Sequence, residues 1–335
     1  MPDTPYDRVN RARALRLETP GWARVVDQAL PADDTARAPV LQVLSAALCR
    51  TDARMWQCGH RDLVLPRVLG HEVCVRDECG RRYALWPGVS CGHCRACRSG
   101  VENLCPEVSV LGFHRDGGLA EWVQVPWHSL VPVPEEVPDT VACLAEPLAC
   151  GINALHQAAV RAGDRVLIYG AGPVGLLLAL AARSWGAQPL VIELDAGKAA
   201  RSERFQERSS VAVTLEEPGP GWDVAINAVS QAVVVSDGLR RLRPGGRYVV
   251  FSGLPEEPRI TAALNEVHYR QLQVVGAFGC TRAGVVEAVA LLARYPRAVA
   301  ALIEAVIPLE AVPDALPRVA HGGVLRFVVQ PAGID

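Results

Sequence analysis

Four cysteines fall close together as Cys91-Gly-His-Cys94-Arg-Ala-Cys97 and then Cys105, a C-x2-C-x2-C-x7-C spacing. Thiolates this near one another can surround a single tetrahedral ion at metal–sulfur distances of about 2.3 Å. A closed four-sulfur shell leaves no place for water or substrate, so the expected ion is a structural zinc. An iron–sulfur cluster is the rival, because its cysteine spacings overlap with these. Further ligand types are scattered. Cys49-Arg50-Thr51-Asp52 follows the apolar run 40–48, Gly70-His71-Glu72 follows another at 63–69, and Glu146-Pro147 stands later. A catalytic zinc takes about three protein ligands and keeps one place open, and cysteine, histidine and glutamate are suitable donors. Spacing alone does not assemble them. Taken singly, Cys49 reads more readily as core, His71 as a hydrogen-bonded histidine and Glu146 as a surface acid.

A third constellation is Gly170-Ala171-Gly172-Pro173-Val174-Gly175, a G-x-G-x-x-G pattern. The first glycine permits a tight turn and the second lets backbone approach a pyrophosphate. The third lets a helix pack on a strand, with its N-terminus facing the phosphate. Glu193 follows at the distance where an acid accepts hydrogen bonds from the adenosine ribose. A 2′-phosphate would meet that carboxylate, so NAD is favoured over NADP. Lys198 and Arg201 are the cations that could oppose this preference.

The elements needed to position these groups are legible around the glycines. Arg165–Tyr169 is an apolar strand, Val174–Trp185 is a helix-forming run ended by Gly186, and Pro189–Glu193 is a second strand. Asp223–Ala228 and Arg247–Phe251 are two more apolar runs, with a turn at Arg243-Pro244-Gly245-Gly246 between them. Alternating strand and helix implies a parallel sheet covered by helices. The chain then ends in an apolar strand, Val324–Val329.

Taken together with Asp116-Gly117-Gly118-Leu119-Ala120-Glu121-Trp122-Val123 and Glu146-Pro147-Leu148, these motifs resemble the zinc-dependent medium-chain dehydrogenase/reductase family. The likeness is greatest to its sorbitol, threonine and 2-deoxy-scyllo-inosamine dehydrogenase branches and covers most of the chain. The resemblance implies an α/β protein with a discontinuous GroES-like β-barrel catalytic domain, 1–152 and 281–335, carrying the zinc lobe 91–105. It implies a Rossmann NAD-binding domain at 153–280, with metal and nicotinamide held in the cleft between the two. Two zinc ions follow, one structural on Cys91, Cys94, Cys97 and Cys105. The other is catalytic on Cys49 and His71, with the third role shared between Glu72 and Glu146. By the same resemblance Arg50 meets the NAD pyrophosphate, beside the cradle of Gly170, Gly172, Pro173, Val174 and Gly175 with Glu193. Thr51 takes the hydroxyl proton while zinc acts as Lewis acid and hydride passes to the nicotinamide.

The implied reaction is oxidation of a secondary alcohol of a polyol, sugar or aminocyclitol, producing NADH. A threonine-type amino-alcohol dehydrogenase is one alternative. A non-catalytic nucleotide-binding relative is another, since fold does not imply function, though the complete set of candidate ligands speaks against lost chemistry. Two departures stand out. Arg54 occupies the place of the histidine that ends the proton relay in many relatives, and an arginine stays protonated. The segment Val73–Ser90 is shorter than the family's usual hairpin. Trp56, Trp86, Phe113 and His114 fall near family positions that line the substrate site. A homodimer or homotetramer, joined by the edges of the dinucleotide-binding sheets, is also implied.

Composition narrows the classes that remain. The chain has 335 residues, a net charge of −2, 50% apolar and 5% aromatic residues and 11 cysteines. That length suggests about two domains. A near-neutral balance offers no basic footprint for nucleic acid. Met1–Thr19 is charged throughout, with no apolar core for a leader, and the longest uncharged run, Val166–Ala182, falls short of the roughly 20 residues a membrane span needs. A cytoplasmic enzyme is expected, in which disulfides are disfavoured. Cys58, Cys74, Cys79, Cys143, Cys150 and Cys280, which carry no metal role, default to core packing.

Overall fold

A computed structural model of the chain describes residues 11–30, 37–254, 264–322 and 324–333. The N-terminal residues 1–10 that entered the reading against a leader, and the outer limits 1 and 335 of the expected catalytic domain, lie outside the described residues. By its internal contacts the chain divides into two units. One comprises Met1–Glu146, Thr281–Pro296 and Ile303–Asp335, and the other Pro147–Cys280 and Arg297–Leu302. Compared with the expected limits, 147–152 and 297–302 go to the second unit. A Cβ on Gly151 would stand 3.2 Å from Leu178, so the helix Ala145–Gln157 lies close upon the helix Pro173–Ser184. The Arg208 guanidinium holds the Arg297 carbonyl at 3.0 Å.

In the first unit, strands alternate inward and outward residues over a shared core. Leu15 and Leu17 come from the strand Arg11–Thr19, and Leu41 and Val43 from Val40–Ala47. Val73 and Val75 come from Glu72–Arg76, and Phe327 and Val329 from Arg326–Gln330. Full burial of each such side chain stabilises by about 1.5–3 kcal/mol. The larger sheet runs Leu130–Pro132, Arg82–Leu85, Glu72–Arg76, Val40–Ala47, Arg326–Gln330, Ile303–Pro308, with Trp122–Gln124 also paired to Val40–Ala47. Register decides what gathers at one end of it. Ala47 pairs with Glu72 on one side and with Val328 on the other. The residues just beyond Ala47, at the start of Glu72–Arg76 and at the start of Arg326–Gln330 are thereby brought together. The terminal strand expected at Val324–Val329 is thus Arg326–Gln330, and it carries a charged residue into the interior.

The second unit is a six-stranded parallel sheet. In space its order is Ala212–Thr214, Gln188–Ile192, Arg165–Tyr169, Trp222–Asn227, Leu242–Val250, Gln273–Gly276. Counted along the chain this is 3-2-1-4-5-6, in which the order reverses beside the first strand. The glycine turn follows that strand directly. One expected element differs. Arg243–Gly246 does not separate two strands but bulges within one, Leu242–Val250. The register steps from Trp222↔Leu242 to Val224↔Arg247, and Gly245 takes a positive φ of 77° that absorbs the extra residues.

Candidate metal centre and cofactor cradle

Cys49 is the N-cap of the helix Arg50–Cys58. Its Sγ accepts the Thr51 backbone N–H at 3.4 Å, and the Asp52 carboxylate closes back on the Cys49 N–H at 3.0 Å. This is a capping box with sulfur in the place of a hydroxyl. The other Asp52 oxygen accepts from the Gly70 N–H at 3.1 Å and lies 3.4 Å from His71 Nδ1. One fully buried carboxylate therefore ties the cysteine turn to the histidine turn and orients the imidazole. Ligand atoms of Cys49, His71 and Glu72 all lie within 4.8 Å of one another. His71 and Glu72 are buried and Cys49 is half-buried.

The electrostatics of this cluster suit a cation. Glu72 Oε1 accepts from Arg326 at 2.9 Å, while Oε2 is buried with no hydrogen-bond partner among the described residues. Burial, reinforced by the negative Cys49 and Glu146, pushes the Glu72 carboxyl well above its ordinary value against the pull of Arg326 and His71. Burial would also raise the Cys49 thiol, but the neighbouring His71, by charge and hydrogen bond, and the charge of Arg326 bring it down to about 6. His71 is pushed well up, because Asp52 and Cys49 outweigh its burial. A stranded carboxylate oxygen costs about 1–3 kcal/mol or more. A ligand set of one thiolate, one imidazole and one carboxylate fits a zinc with an open position.

The four-cysteine lobe is compact. Cys94 Sγ and Cys97 Sγ are 3.5 Å apart, Cys105 Sγ and Cys91 Sγ 3.6 Å, and Cys91 Sγ and Cys97 Sγ 3.9 Å. A tetrahedron with a metal–sulfur distance of about 2.3 Å has edges of about 3.8 Å. Backbone N–H groups of Cys94 and Cys97 point at the sulfurs of Cys91 and Cys94, at 3.4 and 3.5 Å.

The glycine turn leaves a hollow of a different kind. Gly170 has φ +107°, and a Cβ on Gly175 would stand 2.1 Å from the Gly170 carbonyl. Gly172 is the N-cap of the helix Pro173–Ser184, and a Cβ there would meet nothing within 4 Å. That open space lies where a bound pyrophosphate needs close backbone approach. Glu193 spans the turn: its carboxylate accepts from Ala171 N–H at 3.0 Å, Leu194 N–H at 2.9 Å and Asp195 N–H at 3.1 Å.

Of the residues singled out in sequence, Glu72 joins Cys49 and His71, while Glu146 sits in the first turn of Ala145–Gln157 and acts on Glu72 by its charge. Thr51 is half-buried and Arg50 exposed in the first turn of their helix. Phe113 lies against His71, with ring centroids 5.5 Å apart. His114 caps its own loop by accepting the Val110 N–H at 3.0 Å. Trp86 is a core residue, 3% exposed and stacked over Gly88. Cys74 and Cys143 are buried as expected of unassigned cysteines, but Cys58 and Cys79 are exposed. Asp52, present in the Cys49 motif but without a role there, and Arg326 are the functional residues that the sequence reading does not assign. The Cys-x-x-Asp spacing before a helix signals the first. The second is a lone charge in an apolar terminal run, and charges there are rarely buried unless paired.

A sheet ordered 3-2-1-4-5-6 with a glycine cradle in one unit, and a Cys–His–Glu cluster with a four-cysteine lobe in the other, define a nicotinamide-dependent metal oxidoreductase. Comparison with known proteins gives the family. Residues 37–135 match the alcohol dehydrogenase GroES-like domain, and residues 173–294 match the zinc-binding dehydrogenase domain. L-Galactonate-5-dehydrogenase of Escherichia coli K12 is 31% identical over 75% of this chain and 78% of its own. L-Threonine 3-dehydrogenase of Chelativorans sp. BNC1 is 29% identical over 72% and 76%. A zinc-binding dehydrogenase of Sinorhizobium meliloti 1021, solved bound to NADP, superposes with a TM-score of 0.86 at 27% identity, covering 96% of this chain and all of the other. The chain belongs to the zinc-dependent medium-chain dehydrogenase family, with its GroES-like barrel and Rossmann domain, and is an oxidoreductase of the alcohol dehydrogenase class. Among the described residues no helix is long and apolar enough to cross a membrane.

Proposed function

We propose that this chain oxidises a secondary alcohol of a polyhydroxylated substrate (a polyol, sugar or aminocyclitol) with NAD, using two zinc ions per chain. The observation that carries the reading is the Cys49–His71–Glu72 cluster, with one buried carboxylate oxygen left over for a cation. Cys49, His71 and Glu72 would hold the catalytic zinc, and Glu146 acts on the same site through its charge. Cys91, Cys94, Cys97 and Cys105 would hold the structural one. Their sulfur separations suit a single ion, and thiolates around a multi-iron cluster would stand further apart. A zinc in the first site supplies Lewis-acid polarisation of an alcohol oxygen, and the nicotinamide supplies the hydride acceptor.

The chain's own groups do the rest. Thr51, beside Cys49 in the first helical turn, takes the hydroxyl proton at its Oγ1. Arg54 cannot end a proton relay, so the proton leaves to solvent by another route. Gly170, Gly172, Pro173, Val174 and Gly175 admit the pyrophosphate, and Arg50 offers it a positive charge. The Glu193 carboxylate would repel the 2′-phosphate of NADP, which supports NAD. The polyhydroxylated class rests on relatives such as the galactonate enzyme. The threonine enzyme supports an amino-alcohol reading as the alternative.

An edge-to-edge homodimer is part of the proposal. Gln273–Gly276 ends the parallel sheet. Val274 on it is 51% exposed, and Phe278 and Tyr269 nearby are 61% and 81% exposed. Bare strand edges of this kind invite pairing. The deciding experiment is a panel of polyols, cyclitols, sugar acids and amino alcohols, offered with NAD or NADP while NADH or NADPH appearance is followed. Turnover of polyhydroxylated alcohols with NAD is expected. Turnover of threonine alone, or preference for NADP, would replace the corresponding part of the reading.

A further inference from the structure

A histidine that none of these roles uses stands one aromatic ring away from the metal cluster. His60 follows the helix Arg50–Cys58 and its C-cap Gly59. Its ring meets Phe113 edge-on with centroids 5.3 Å apart, and Phe113 in turn meets His71 at 5.5 Å. The hydrogen bonding of His60 fixes which nitrogen is available. Nδ1 accepts the Asp62 backbone N–H at 3.2 Å, with the Asp62 carboxylate 3.7 Å from the same atom. A neutral imidazole whose Nδ1 accepts carries its proton on Nε2. Nε2 forms no hydrogen bond among the described residues. Partial burial, together with the positive Arg61 and Arg54, holds His60 below its ordinary value despite Asp62. The neutral ring, with an N–H to donate, is therefore the form present at pH 7.

A donor in this place has no task at the reacting carbon, where Thr51 and the metal ligands suffice. It matters for the remainder of the substrate. His60 is exposed in the free chain, so the selection arises only when a ligand covers it: a ligand that offers no acceptor there strips the donor of water and leaves it unpaired. We propose that His60 is a specificity-determining residue whose Nε2–H hydrogen-bonds an oxygen, hydroxyl or carboxylate, on the part of the substrate remote from the carbon that loses hydride. Arg54, on the preceding helix Arg50–Cys58 and close enough for its charge to act on His60, makes a carboxylate at that end welcome. This rests on the dehydrogenase reading above and sharpens it: the substrate class is a polyhydroxylated alcohol or its acid, not a simple hydrocarbon alcohol.

The test compares wild type, His60→Leu and His60→Gln, all loaded with zinc, on 2-butanol, a hexitol and a hexonate, with kcat and KM resolved. In His60→Leu the ratio of kcat/KM for the oxygen-rich substrates over that for 2-butanol is expected to fall at least tenfold, through KM. His60→Gln, which keeps an N–H donor, is expected to recover part of it. The hexitol and hexonate arms tell a hydroxyl partner from a carboxylate. A second readout is the melting temperature with NADH present: hexonate or hexitol should protect wild type more than His60→Leu. An unchanged ratio, an equal fall in kcat on all three alcohols, or equal protection of both proteins would overturn the role of His60. A wild type that oxidises none of the three would instead overturn the dehydrogenase reading, and this inference with it.

Discussion

Arg326 determines whether Glu72 can be charged in the interior. Its guanidinium is buried against the carboxylate at 2.9 Å and also donates to the Leu48 carbonyl at 3.1 Å. Removing one partner of a buried pair strands the other, at a cost of about 3–5 kcal/mol. Arg326→Met is therefore expected to lower the urea midpoint sharply in metal-free protein. Combining it with Glu72→Gln should cost less than the sum of the two, as coupled neighbours do. Strict additivity would show that the pair does not act as a unit. At this scale the sequence was half-legible. Cys49, His71 and Glu72 are recognisable by type and by the short motifs around them. Asp52 and Arg326 are ordinary charges until register places them, Arg326 from the last strand of the chain.

The element that carries the cofactor argument is the turn between Arg165–Tyr169 and Pro173–Ser184. Its glycines make separable predictions. Gly172→Ala leaves space for the new methyl group and keeps the fold, so its melting temperature should stay near wild type. NADH affinity, read by fluorescence titration, should fall tenfold or more because the methyl group occupies the phosphate's place. Unchanged affinity would move the pyrophosphate elsewhere. Gly175→Ala instead forces its Cβ to 2.1 Å from the Gly170 carbonyl and should unfold the turn itself. The neighbouring helix Val233–Arg241 is held to the sheet by Asp237, which accepts from Tyr169 Oη at 2.8 Å and Arg241 Nε at 2.6 Å. Burial would raise the Asp237 carboxyl, but those two hydrogen bonds and the Arg241 charge hold it below its ordinary value. Its stabilisation is therefore full above the unfolded pKa of about 3.9 and is lost as pH falls through the lower folded value. Asp237→Asn should cost about 1–3 kcal/mol at pH 7, with the gap to wild type closing below pH 4 in thermal melts. A gap independent of pH would assign the cost to packing alone. These elements were readable because strand, glycine turn and helix differ in local composition. The bulge at 243–246 was not: Arg-Pro-Gly-Gly composes a turn and a bulge equally well, and only pairing with Trp222–Asn227 distinguishes them.

At the scale of the molecule, two units separated by contacts share one chain that leaves the first, builds the second and returns. Length suggests two domains, but only the family resemblance implies the interruption. Among the described residues Gln273–Gly276 is an edge strand of the parallel sheet, which makes the proposed assembly testable. Val274→Glu places a charge on it and should convert the oligomer to monomer in light scattering, with the melting temperature of the monomer lowered; an unchanged mass would locate the interface elsewhere. Two differently built metal sites in one chain are most directly tested by metal stoichiometry. Wild-type protein should contain two zinc ions per chain by mass spectrometry of the metals. Cys49→Ser should contain one, held by the four-cysteine lobe, and should lose turnover. One zinc in both proteins, iron in place of zinc, or full turnover by Cys49→Ser would contradict the two-site assignment.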